Sequence, residues 1–251
     1  LGTLTAVSQL LAEVPEVAEL DINPLLADAR GVVALDARVR VDASRPGGAA
    51  RFAIRPYPHE LEESLDWDGR RVTLRPIRPE DEARHRVFLE RLDPEDVRMR
   101  VFYSRRTIER SELARLTQID YEREMAFVAT ASDADGAEET LGVVRAVADP
   151  DNVEAEFGIV VRSDLKGSGL GERLMHKLIA YLKARGTRVL TAVVLAENRR
   201  MLSLARDLGF TVGARTADDT RDIRLPLVDM AVGAADAGAA GSGPARGEAP
   251  A

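Results

Sequence analysis

The stretch SDLKGSGLGERLMHKL, residues 163–178, constrains the fold more than any other part of the chain. A strand-like run, VEAEFGIVVR, leads into three alternating glycines, and a helix-patterned run follows at once. The first turn of a helix carries unpaired N–H groups and a positive dipole end. Glycine adopts positive φ and lets a backbone approach a ligand closely. The combination suits an anion. A P-loop would need G-x-x-x-x-G-K followed by Ser or Thr, and a Rossmann fingerprint G-x-G-x-x-G after the first strand of a βαβ unit. Gly167, Gly169 and Gly171 fit neither, and they lie late in their domain. On the residues alone, a pyrophosphate cradle and a ligand-free glycine connector both stay open.

The helix after the turn is strongly patterned. Leu170, Leu174, Leu178 and Leu182 recur every four residues, with Met175 and Ile179 beside them, and Gly186 is placed to end it. TRVLTAVVL then reads as a nearly wholly apolar central strand. Asn198 can cap the next helix, which stops at Gly209. Upstream, RRVTLRPIRP alternates as a strand. PEDEARHRVFLERL begins a helix that should bring Val87, Phe88 and Leu92 to one side. Residues 66–228 thus read as one α/β domain: a strand, short helices, three strands, the glycine turn, then α, β, α, β.

Three flanking segments behave differently. Residues 1–44 read as a helix and two strands, VAELDINPLLA and GVVALDARVRV, joined by a turn at Asp28–Gly31. So few residues bury too little apolar area to fold alone, so this unit reads as part of a larger domain, and the chain as a fragment of something longer. Residues 45–65, rich in Pro, Gly and Ala, read as a linker, and the Ala/Gly/Pro tract 229–251 as a disordered tail.

Composition narrows the class. A formal net charge of −7 argues against a nucleic-acid binder, which needs clustered cations to displace phosphate counterions. No run approaches the length of a membrane span. The absence of cysteine fits a cytoplasmic protein. His59, His85 and His176 have no ligand spacing and read as ordinary surface or half-buried side chains, so no metal site is expected.

FGIVVRSDLKGSGLGERLM resembles motif A of the GNAT acetyltransferase superfamily, whose pattern is Q/R-x-x-G-x-G/A after a strand. Lys166 fills the first position, a departure from Gln or Arg, and Gly169 and Gly171 fill the glycines. VLAENRRMLSLARDLGF resembles motif B of the same superfamily. The resemblance implies a GNAT fold, a mixed and mostly antiparallel sheet flanked by helices. It implies acetyl-CoA as cosubstrate, with the pyrophosphate on Lys166, Gly167, Ser168, Gly169, Leu170 and Gly171. The pantetheine arm would lie along Ile159, Val160 and Val161, and Asn198 would contact it.

Acetyl transfer to an amine requires a neutral amine, a polarised thioester carbonyl and a proton for the thiolate. A lysine amine, with a pKa of about 10.4, arrives protonated and needs a base. Glu154 and Glu156, two apart on a strand, share one face. Glu156 is the first choice of base and Glu154 the second. A backbone N–H of Val160 or Val161 would polarise the carbonyl. The motif B tyrosine that protonates the thiolate in many relatives corresponds to Ala205 here. Residues 98–106, RMRVFYSRR, read either as an amphipathic helix end or as a wall beside the acceptor or the cofactor's 3′-phosphate.

VAELDINPLLADARGVVALDARVRV is similar to the last strands of the ATP-grasp domain of NDP-forming acyl-CoA synthetases, with Asn23 and Asp36 in the positions of its Mg²⁺ ligands. An ATP-grasp end before a GNAT domain resembles the Pat-type bacterial protein acetyltransferases. That resemblance implies a protein lysine substrate, on an AMP-forming acyl-CoA synthetase. Two other readings stay open: acetylation of a small amine or polyamine, and a non-catalytic acyl-CoA-sensing module.

Overall fold

The computed structural model describes residues 2–29, 31–44, 55–101, 108–132 and 136–228. The expected tail 229–251 and the first ten residues of the expected linker, 45–54, lie outside these residues.

The N-terminal unit contains α1 (Gly2–Glu13), β1 (Val17–Ile22), β2 (Leu25–Asp28), β3 (Gly31–Ala34) and β4 (Ala37–Val41). Each of the two expected strands is split in two. β1 pairs antiparallel with β4 and β2 with β3 in one register, Ile22 opposite Ala37 and Leu25 opposite Ala34, so the unit is the expected hairpin with its ladder interrupted. The first break falls at Pro24, which has no N–H for a ladder. The chain rejoins through Asn23 N–H to Asp36 O and Leu35 N–H to Pro24 O, both 3.1 Å. Val17 is the only buried side chain among the described residues of this unit. Leu4, Leu26, Val33 and Leu35 are all more than half exposed.

The remaining strands form one eight-stranded sheet. They are β5 (Glu63–Trp67), β6 (Arg70–Pro76), β7 (Glu124–Ser132), β8 (Glu138–Ala148), β9 (Glu154–Val161), β10 (Val189–Leu195), β11 (Thr211–Val212) and β12 (Thr220–Pro226). Their order is β11-β12-β10-β9-β8-β7-β6-β5. Every pairing is antiparallel except β9 with β10. This is the mixed, mostly antiparallel sheet that the sequence implied. It begins at Glu63, inside the expected linker, because Asp68 (φ 50°) and Gly69 (φ 74°) make a tight hairpin turn between β5 and β6. Asp-Gly is the dipeptide such turns prefer.

Helices cover both faces: α2 (Glu82–Glu90), α3 (Pro94–Val101) and α4 (Arg110–Thr117) precede β7, α5 (Leu170–Ala184) lies between β9 and β10, and α6 (Arg199–Asp207) follows β10. The strands alternate accordingly. In β7, Met125, Phe127 and Ala129 join the α5 side of the core, while Ala126 and Val128 join Ile77, Phe88 and Leu92 on the other. The α5 leucines at 170, 174 and 178 are fully buried, and each such burial stabilises by roughly 1.5–3 kcal/mol. Val87, expected beside Phe88, is 41% exposed, because neighbouring helical residues point about 100° apart.

Candidate active site

β9 and β10 run side by side only where Glu154, Ala155 and Glu156 face Val189, Leu190 and Thr191. Beyond that point they part, while β9 keeps its ladder with β8 as far as Val161 opposite Gly142. β10 was expected to be a wholly covered central strand. Past the parting its Val193 is 42% exposed and lines the gap.

The N–H groups of β9 alternate between the two sides. Arg162 donates to Leu141 O on the β8 side (2.9 Å). With a two-residue period, Val160 faces β8 as well, while Ile159 and Val161 face the gap. The pattern of apolar residues carries no such parity, so the sequence left Val160 and Val161 equal. The structure separates them: the Val160 N–H is turned away from the cleft.

The gap opens into a cavity of about 560 Å³, floored by β9 and β10 and closed by the glycine turn, α3 and α6. Ile159, Val160, Val161, Lys166, Gly167, Gly169, Gly171 and Asn198 all line it. Ser168 and Leu170 are absent from its wall. The Ser168 carbonyl accepts from Trp67 Nε1 (3.1 Å), and Leu170 points into the core. The local fold follows from the glycines. Gly167 (φ 81°) and Gly169 (φ 84°) are left-handed, and neither has a heavy atom within 4 Å of where a Cβ would stand. Gly169 is the N-cap of α5. Ser168 donates its N–H back to Leu165 O (3.4 Å), and among the described residues the N–H groups of Gly167 and Gly169 meet no backbone acceptor. Open space, free donors and a helix dipole fit a pyrophosphate. Lys166 is not idle in this state, since its ammonium is ion-paired with Asp96 of α3.

Asn198 is the N-cap of α6 and also lines the cavity. Its Oδ1 accepts from Met201 N–H (3.1 Å). Ala205 is fully buried about two turns further on, so the tyrosine position offers no hydroxyl.

The two glutamates share a face, as expected, because Ala155 and Phe157 between and beside them are buried. Their surroundings differ. Glu154 accepts from Thr191 Oγ1 (3.1 Å) and lies 3.5 Å from the Arg224 guanidinium. Glu156 is exposed and has no hydrogen bond or ion pair among the described residues. Next on that face is Gly158, and the guanidinium of Arg100 lies flat over it. A Cβ at 158 would fall 2.2 Å from Arg100 Cζ. Desolvation by the surrounding protein, reinforced by the Arg145 charge, holds the Arg100 pKa below the ordinary arginine value, and nearby Glu156 pulls it the other way. Arg100 is a cavity-lining side chain that sequence reasoning did not single out. It belonged to the segment 98–106 read as a helix end or a wall, and residues 102–106 of that segment lie outside the described residues. Arg98, in contrast, is tied to Glu95 and Glu197.

The histidines stand apart. His85 is buried at 2% exposure, not half-buried as expected, because it faces the sheet from α2 beside Phe88. Among the described residues there is no group of three acidic or histidine side chains disposed to hold a metal ion, and no helix is long and apolar enough to cross a membrane.

A glycine turn capping a helix beside two parting strands, with a free carboxylate at the parting, defines a transferase that takes its acyl group from a pyrophosphate-bearing carrier. Residues 71–211 match the family model described as acetyltransferase (GNAT) domain, and residues 1–41 match that of the ATP-grasp domain. The chain belongs to the GNAT acetyltransferase family: it is an N-acetyltransferase with acetyl-CoA as cosubstrate. This sets aside the reading as a non-catalytic sensor. The chain is 38% identical over 167 residues to acetyltransferase PA5475 of Pseudomonas aeruginosa, covering 66% of this chain and 88% of that protein. Two solved structures share the fold. The GNAT domain of S. lividans PAT has a TM-score of 0.61 at 24% identity, over 68% of this chain and 99% of that one. Spermidine N-acetyltransferase from Vibrio cholerae, solved with CoA and spermine, has a TM-score of 0.51 at 18% identity, over 62% and 95%.

Proposed function

We propose that this chain transfers acetyl directly from acetyl-CoA to a lysine of a protein, such as an AMP-forming acyl-CoA synthetase, with Glu156 as general base. The observation that carries the reading is the contrast between the two glutamates. Glu154 is held by Thr191 and Arg224, whereas Glu156, beside the strand parting, makes no hydrogen bond or ion pair among the described residues. A base must be free to reach the proton it removes.

The pyrophosphate rests on the N–H groups of Gly167 and Gly169 and the first turn of α5. The pantetheine arm lies in the gap, where β9 offers the peptide edge that β10 has left. Val161 N–H, with Ile159 N–H on the same side, polarises the thioester carbonyl. Glu156 takes a proton from the lysine ammonium, directly or through water. The freed nitrogen lone pair attacks the carbonyl carbon and the C–S bond breaks; the nitrogen gives its remaining extra proton to solvent, and the departing thiolate takes one from solvent, since Ala205 has none to give.

Two features favour a protein acceptor. The match of residues 1–41 to an ATP-grasp domain, ahead of a GNAT domain, resembles the Pat-type arrangement. The second is local charge: an acidic acceptor cleft would suit a polyamine, and here Arg100 stands beside Glu156 instead.

Glu156→Gln tests the base. The expected result is a loss of about 10²–10⁴-fold in kcat, with acetyl-CoA affinity unchanged. Equal loss of rate and affinity, or no loss, overturns the assignment. Assays with an AMP-forming acyl-CoA synthetase beside spermidine separate the acceptors: turnover with spermidine alone moves the enzyme to the small-amine branch.

A further inference from the structure

We infer that Arg100 reads a carboxylate close to the acceptor amine, so that preferred acceptor lysines have an acidic neighbour. The inference deepens the reading above and rests on it, since it takes the acceptor amine to be brought to Glu156.

The geometry is built for a guanidinium. Gly158 leaves β9 without a side chain at one position, and Arg100 occupies that floor so closely that any Cβ there would collide with it. The same face of β9 carries Glu156 two residues earlier. Other arginines around this site are neutralised. Arg98 is paired with Glu95 and Glu197, and Arg145 with Glu124 and the Leu116 carbonyl. Arg100 makes no hydrogen bond or ion pair with any described residue. A guanidinium has five donors in a planar fork that a carboxylate matches in two-point fashion. Glu156 is its carboxylate neighbour but loses its charge on taking the amine proton, so an anion on the acceptor completes the match.

The cosubstrate's pyrophosphate is the alternative anion. Its cradle begins at Lys166, whose ammonium already pairs with Asp96 one turn before Arg100 on α3, and coenzyme A affinity of Arg100 variants tests that alternative directly. The carboxylate could come from Asp or Glu beside a lysine in a chain, or from the α-carboxylate of a free amino acid. The chemistry is shared, and the test distinguishes the sources.

The full chain would be assayed with acetyl-CoA and three peptides identical except that the lysine is flanked by Glu, Gln or Arg. L-lysine and cadaverine, which differ by one carboxylate, form a second pair. Wild type, Arg100→Gln and Arg100→Glu would be compared, with coenzyme A affinity measured for each. The expected result is a preference of about 10-fold or more in kcat/KM for the Glu peptide over the Arg peptide, the scale of one charge-assisted hydrogen bond. Arg100→Gln should level the series and Arg100→Glu invert it, with coenzyme A affinity unchanged. Equal rates on the three peptides in wild type overturn the inference. So does a uniform loss in Arg100→Gln with weakened coenzyme A binding, which would give Arg100 to the cosubstrate. No peptide turnover, with lysine favoured over cadaverine, would remove the protein acceptor and keep the carboxylate contact. Binding of the same peptides with norleucine in place of lysine, by calorimetry, gives a readout independent of turnover. There, too, absence of a wild-type preference for the Glu peptide overturns the inference.

Discussion

His85 shows what one buried side chain does to the pH dependence of the whole domain. Its imidazole is nearly inaccessible, and its Nδ1 has no hydrogen-bond partner. Burial lowers its pKa to about 4, the Arg145 charge adds to this, and Asp81 opposes it. The unfolded chain keeps the ordinary value of about 6.5. Between those values the unfolded state binds a proton that the folded state refuses. Stability is therefore complete above about pH 6.5 and lost as pH falls towards 4, by roughly 1.4 kcal/mol per pH unit. Urea unfolding at pH 7 and pH 5 should show this decline in wild type and a flatter one in His85→Gln; an equal decline in both would remove His85 as the cause. Asp81 acts in a separate window. Burial raises its pKa, but bonds from Arg75 and Arg84 outweigh that and lower it to about 2. Its contribution is present above about 3.8 and lost as pH falls through 2. Neither effect was legible in the sequence, where His85 was one of three unplaced histidines. Burial of a polar residue depends on which face of α2 meets the sheet, and the weak amphipathicity of EARHRVFLE does not fix that face.

At the scale of elements, α5 and its turn were the most legible part of the chain. Four leucines at a spacing of four have one way to be buried together, and Gly186 (φ 79°) ends the helix where it was expected. The split strands of the N-terminal unit and the β5–β6 hairpin were missed for different reasons. Pro24 is a turn signal inside a longer strand-forming run whose length dominated the reading, and β5 begins inside a segment whose Pro, Gly and Ala content made it read as a linker. The parity of β9 was beyond reach, because only the partner strand decides which N–H groups face the gap. The glycine turn itself can be tested. At Gly169 a Cβ meets empty space, so Gly169→Ala should cost only the left-handed strain, roughly 1–2 kcal/mol, and keep coenzyme A binding within a few-fold. Gly169→Glu adds the same strain plus a carboxylate where the pyrophosphate rests. It should weaken coenzyme A about 100-fold or more while Tm stays close to that of Gly169→Ala. Equal affinity in the two variants would refute the cradle.

The whole molecule divides by how much each part buries. The eight-stranded sheet has apolar layers on both faces, with Leu74, Phe127, Leu141, Leu174 and Leu190 at 1% exposure or less. Residues 2–44 have Val17 as their one buried side chain among those described, and α1 buries none. Local opening is easiest where few apolar contacts hold a segment. Hydrogen exchange on the full chain should therefore show two regimes. Amides of β1–β4 and α1 should exchange within seconds to minutes, while those of β7, β8 and the middle of α5 should report the global stability of the sheet. Adding coenzyme A extends the argument to function. A ligand on the glycine turn satisfies the N–H groups of Gly167, Gly169 and the first turn of α5, so protection should rise there and along Ile159–Val161. It should not rise in residues 2–44 if the N-terminal unit takes no part in cofactor binding. Slow exchange in α1 without ligand would show that this unit has a packing partner. Ligand-induced protection there would couple it to the active site.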